Sequence, residues 1–219
     1  MRDSRIMCIG ATLVTLGAIA VIGVELQGGL PPRFNSKPHE AAGWFLAQQA
    51  LGLLQPGGRV IVITRDTTAF NNPATDVQLD SFRKALRRAH ATLGRIHLLQ
   101  VDPLRPVEVP SGDFVELIRA TPKGSVIVSF MGPPVLTEGQ RRQLGDIKPA
   151  IIAFCPGELP ELVDLRVLFA QGLLQAAVIS RTQGIAAGSP PHDMQGWFDQ
   201  EFVAITASNV AGCYSEAGL

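Results

Sequence analysis

The sequence predicts an α/β domain built on a doubly wound, mainly parallel sheet of five strands, preceded by one membrane-crossing helix. Three observations carry this expectation. Short uncharged runs rich in Val and Ile, clearest at Val60–Ile63, have the unbroken apolar pattern of strands buried on both faces. Stretches with apolar residues three and four positions apart alternate with those runs across short loops, the order of βαβ units with right-handed crossovers. Finally, Ile6–Val24 carries no charge over a length that suits one bilayer crossing.

Bulk composition narrows the function classes. Charged residues are 17% and hydrophobic residues 46% of the 219, which argues against disorder and for a buried sheet or a membrane contact. Formal net charge is zero and the basic residues are scattered along the sequence, so no nucleic-acid footprint is legible. Cys8, Cys155 and Cys213 lack a CxxC spacing and the four histidines lie far apart, so spacing indicates neither a metal site nor a cofactor.

Residues 1–26 form a membrane anchor or signal segment. Arg2 and Arg5 before the uncharged run, and Glu25, Arg33 and Lys37 after it, favour an inside N-terminus and an extracytoplasmic domain on an inner or plasma membrane. A cleaved signal peptide is the rival reading, since Ala18-Ile19-Ala20 matches a cleavage site; both put the domain outside the cytoplasm. Gly- and Pro-rich residues 27–37 read as a linker, 38–210 as the α/β domain and 211–219 as a tail.

Within the domain, Pro38–Leu54 has helical spacing and stops at Pro56-Gly57-Gly58. After the strand Val60–Ile63 comes a polar loop, Thr64–Asn72. A helix then opens with Asn72 as cap and Pro73 in its first turn, or with a Thr75/Gln78 capping box. Leu79, Phe82, Leu86 and Ala89 make its inward face, and Arg83, Lys84, Arg87 and Arg88 read as a solvated face. The unit recurs as strands Ile96–Val101, Ser125–Phe130, Ala150–Phe154 and Ala176–Ser180, with helices Asp113–Ala120, Thr137–Leu144 and Pro160–Gln171 between them. Ligands of such folds sit beyond the carboxyl ends of the strands. Here that edge comprises Thr64–Asn72, Asp102, Met131–Pro134, Cys155–Glu158 and Ser180–Thr182.

Two resemblances bear on family. LLQPGGRVIV is similar to a segment of S-adenosylmethionine methyltransferases, but no glycine-rich cofactor loop accompanies it. A wider likeness rests on Ala42-Gly43 in the first helix, the Gly-Gly strand, the Asn-Pro loop, LDSFRKAL, LIRATP, Ala153-Phe154-Cys155, FAQGLLQAAVIS and FVAITASNV. In that order, from about residue 40 to 210, these motifs resemble the carboxyl-terminal lobe of type I periplasmic sugar-binding proteins and LacI-like regulators. The resemblance implies a single binding lobe without its amino-terminal companion. It also implies a small polar ligand such as a sugar, and a second lobe or a homodimer to complete a closing site. Where that family holds sugar hydroxyls with charged or bidentate groups, this sequence has Gln78, Gly132, Cys155 and Ser180, so the contacts are altered.

The candidate ligand-binding residues are therefore Arg65, Asp66, Asn71, Asn72, Gln78, Asp102, Cys155, Ser180 and Arg181. Each has a plain alternative: Asp and Asn bend and cap loops, and Cys155 suits a strand end with no positioned base nearby. An oxidising compartment leaves a Cys155–Cys213 disulfide open. No G-x-S-x-G elbow joins His192-Asp193 into a triad, and no catalytic residue is assigned. Trp44 and Trp197 read as packing residues. The leading expectation is a membrane-tethered binding or sensing module of the transport-protein type. Its alternatives are a Rossmann-like enzyme and an interaction domain with no ligand.

Overall fold

The computed structural model describes residues 34–68, 71–100, 109–145, 149–157, 159–181 and 190–212. The α/β unit begins at Ser36. Its elements in chain order are α1 (Ser36–Leu53), β1 (Val60–Arg65), α2 (Pro73–Arg88), β2 (Leu93–Leu99), α3 (Ser111–Ala120), β3 (Val126–Ser129) and α4 (Glu138–Leu144). There follow β4 (Ala150–Cys155), the short helices α5 (Leu159–Leu162) and α6 (Leu165–Ala170), β5 (Ala176–Ser180), α7 (Met194–Glu201) and β6 (Phe202–Ile205).

The sheet has six strands in the order β2-β1-β3-β4-β5-β6, one more than the sequence predicts. Neighbours from β2 to β5 are parallel, and β6 pairs antiparallel with β5, Ser180 opposite Phe202 and Ala177 opposite Ile205. At four residues β6 is too short to show a period of its own, and α7, which leads into it, carries a helix-weakening Gly196. The expected helix Pro160–Gln171 is interrupted, because the Asp164 carboxylate accepts from the Arg166 N–H and starts a new helix there.

Side-chain alternation along the strands divides the core in two. Val60, Val62, Val126, Val128, Ile152, Phe154 and Val178 face α1, α2 and α7. Ile61, Ile63, Ile127, Ile151, Ala153, Cys155 and Ile179 face α3, α4 and α6. The doubly wound arrangement thus follows from the near-continuous apolar runs of the central strands β1, β3, β4 and β5, which are buried on both faces. α2 starts where expected: the Asn72 side chain accepts from the Thr75 N–H at 3.0 Å and Pro73 occupies its first turn. Its contact with α1 is close enough to demand a glycine. A Cβ placed on Gly43 would lie 2.0 Å from the carbonyl oxygen of Gln78.

Among the described residues no helix is long and apolar enough to cross a membrane. The run Ile6–Val24 lies outside them, as do Asp102, Glu158, Cys8 and Cys213.

Candidate functional site

Strand order reverses between β1 and β3, because β2 lies on one side of β1 and β3 to β5 extend from the other. Crossover loops leave the sheet in opposite directions at such a point and open a crevice at the carboxyl ends. Register places Ile63 beside Ser129, Ser129 beside Ala153 and Cys155 beside Ile179, so the ends of β1, β3, β4 and β5 form one edge.

Of the predicted ligand residues, Arg65, Asp66, Asn71, Asn72, Ser180 and Arg181 lie along this edge. Their polar groups are engaged to different degrees. The Asp66 carboxylate accepts from the Thr68 backbone N–H at 3.0 Å and its hydroxyl at 2.7 Å, and these two bonds hold it below the usual carboxylate range. Asn72 caps α2, and Thr67 donates to Asp76 at 2.8 Å, stapling the loop to the helix. The Arg181 guanidinium donates to the Asp199 carbonyl at 2.7 Å, which ties β5 to the end of α7. The Ser180 hydroxyl receives only a long contact, 3.5 Å, from the Gly157 N–H. Arg65 and Asn71 have no side-chain hydrogen bond or ion pair among the described residues.

Two predicted residues do not face this edge. Gln78 is buried between α1 and α2, where its side-chain amide donates to His39 Nδ1 at 3.3 Å. Cys155 is a free thiol fully enclosed among α3, α4 and α6, and burial pushes its pKa up to about 12. A thiol so placed is neutral and out of reach of a ligand or an electrophile. Asp102 lies outside the described residues.

In fold, the chain is similar to AraP, an arabinose-binding protein from Geobacillus stearothermophilus (TM-score 0.52, 16% identity, 80% of this chain and 62% of that one). It is likewise similar to a LacI transcriptional regulator from Bacteroides fragilis (0.50, 13%, 80% and 61%). A third is an ABC-transporter solute-binding protein from Burkholderia graminis in complex with D-arabinose (0.50, 17%, 78% and 60%). The fold is of the periplasmic-binding-protein type. The chain spans about three-fifths of the length of those proteins. No protein-family model matches the chain, and no curated protein matches it by sequence.

Other polar features of the lobe were not among the predicted site residues. Thr64, at the end of β1, is 1% exposed and its hydroxyl has no hydrogen-bond partner. The threonine is β-branched and completes the Val-Ile run as part of β1, but its hydroxyl and the polar residues after it made it read as the start of a loop. His97 Nε2 on β2 is similarly enclosed without a partner. A cleft of about 340 Å³ opens on the flank of the α1–α2–α7 layer, not at the strand ends, and is lined by Trp44, Val77, Ser81, Arg88 and Met194 among others. Residues from three separate elements build it, so no local motif announced it.

Proposed function

We propose that this chain is an extracytoplasmic small-ligand binding or sensing module, tethered by Ile6–Val24, which takes its ligand at the carboxyl edge of the sheet. The observation that supports this best is the switch in strand order between β1 and β3, in a fold shared with sugar-binding proteins. The grip is its own. Of the predicted residues described at that edge, Arg65, Asn71 and Ser180 keep the most hydrogen-bonding capacity, whereas Asp66, Asn72 and Arg181 shape the loops that carry them. One guanidinium, one amide and one hydroxyl suit a small neutral polyol better than a dianion. A module of this kind binds and does no chemistry; the neutral, enclosed thiol of Cys155 offers no nucleophile.

A thermal-shift screen of the full chain with pentoses, hexoses and nucleosides tests the proposal. Stabilisation by a ligand at hundredfold its Kd amounts to about 2.7 kcal/mol, and Arg65→Ala should remove it while leaving the unliganded melting temperature unchanged. If no sugar or nucleoside shifts the transition, or Arg65→Ala leaves the shift intact, the reading is wrong.

A further inference from the structure

Six cations gather at the edge of the sheet opposite the ligand edge. Arg59 immediately precedes β1, Arg95 lies near the start of β2, and Lys123 sits in the turn entering β3. Arg87 and Arg88 occupy the last turn of α2, and Arg119 that of α3. All six are exposed. Arg59 and the start of β2 are in direct contact, since a Cβ on Gly94 would lie 2.9 Å from Arg59 Cδ. Far apart in the sequence, these residues converge because α2 and α3 both run antiparallel to the strands.

None of the six forms an ion pair among the described residues. Ion pairs there include Lys37–Glu40, Lys84–Asp80, Arg142–Glu138 and Arg166–Asp164. The same helix direction that brings the cations here sends the first-turn acids Asp76, Asp113 and Glu138 to the opposite edge. Asp193, which starts α7, is engaged in capping the Gly196 N–H at 2.7 Å. Among the described residues this edge is therefore mainly positive, with Asp80 of α2 the carboxylate that acts on Arg87 and, with Glu40, shares the flank cleft with Arg88. Compensation of helix dipoles accounts for Arg87, Arg88 and Arg119. It does not account for Arg59, Arg95 and Lys123, which stand outside helices.

The shape of this positive end favours a flat anionic partner. Its cations come from both helical layers and from strand starts between them, and no aromatic side chain accompanies them as a stacking platform for bases. The uncharged run Ile6–Val24 would bring a bilayer close.

We propose that the amino edge of the sheet, through Arg59, Arg87, Arg88, Arg95, Arg119 and Lys123, docks on the anionic surface of a phospholipid bilayer and turns the carboxyl edge away from it. The docking stands on the charge distribution, whereas the nearness of a bilayer and the value of docking for presenting a ligand site rest on the tethered-module reading.

The test is hydrogen–deuterium exchange of the full chain with vesicles of phosphatidylcholine alone and of phosphatidylcholine with phosphatidylglycerol. Amides of residues 87–95 and 122–125 should slow only in the anionic vesicles, and the difference should vanish in about 0.5 M salt. Arg87→Gln/Arg88→Gln should lower the docked-to-free ratio about 25-fold, at roughly fivefold for each cation lost. Lys123→Gln gives a smaller loss from a separate element, and unchanged melting of both variants shows that they fold. Alkaline extraction reports independently whether Ile6–Val24 anchors the chain: a fully extractable chain with anionic-lipid protection sinks the tether and keeps the docking. Equal exchange in the two vesicle types overturns the docking, as does protection by a duplex oligonucleotide but not by phosphatidylglycerol.

Discussion

On one face of the sheet α1 and α2, 18 and 16 residues long, lie backbone to backbone at Gly43, and the Ser81 hydroxyl of α2 donates to the Glu40 carbonyl of α1 at 2.6 Å. On the other face α3, α4 and α6 run for only 10, 7 and 6 residues. Their polar bonds are partly local, such as the Thr137/Gln140 capping box and the Thr121 hydroxyl on the Leu117 carbonyl at 2.6 Å, and partly between segments, where the Gln140 amide donates to the Ser111 hydroxyl at 2.9 Å and Arg141 donates to the Gln171 side-chain oxygen at 2.7 Å. Aromatic pairs divide the same way. Phe45–Phe198, Phe82–Phe130 and Phe154–Phe202 all belong to the first layer, while the second buries mainly aliphatic side chains. The first layer is thus two long helices in close contact with paired aromatic rings, and the second is a set of short segments that pack aliphatic side chains on the sheet and meet one another through polar side chains.

The sharpest way to break that contrast is to remove one buried ring from each layer. Phe82 and Phe114 are both fully buried, so Phe→Ala should cost about 4 kcal/mol at either site from transfer and cavity terms. Phe82→Ala should cost about 1 kcal/mol more, because its ring meets Phe130 edge-on at 5.5 Å. Chemical denaturation of the two variants decides it; equal losses would mean that the aromatic pairs add nothing beyond area. Next in size is Gly43→Ala, which forces a methyl group against the Gln78 carbonyl and should destabilise by about 3 kcal/mol. A loss below about 1 kcal/mol in the same assay would show that the two helices are free to part there.

The smallest effect concerns protonation within the first layer. Burial lowers the pKa of His39 against an opposing influence of the Glu201 carboxylate. The unfolded chain then binds a proton more readily than the folded one, so stability should fall as pH drops through the unfolded value near 6.5 and level off below the folded value. A modest drop in melting temperature between about pH 7.5 and 5.5 should be absent in His39→Gln. A drop of equal size in the variant would assign it to other groups.

How much of this was legible in the sequence follows from the range of each signal. The runs at Val60, Val126 and Ala176 announced their strands because a strand buried on both faces is apolar throughout, and Asn72-Pro73 announced a helix start through chemistry confined to three residues. β6 was visible only by family likeness, since four residues hold no periodicity. Placing Arg65 and Ser180 on the ligand edge needed only the knowledge that parallel strands end together. Gln78 and Cys155 needed more: Gln78 turns inward because Gly43 lets α1 come close, and Cys155 follows the parity of Ile151 and Ala153 into the core. The positive amino edge was hidden for the opposite reason, as its members are separated in sequence and meet only once the helices share a direction.

Cys155 has a use that its inertness creates. Enclosed at the end of a central strand, it can be alkylated only when the sheet around it opens, so its labelling rate is a clock for that opening. Peptide-resolved mass spectrometry separates its adduct from those of Cys8 and Cys213 without any engineered probe. A ligand held at the carboxyl edge should slow the clock, whereas reagent uptake within minutes under native conditions would show that the centre of the sheet is not closed.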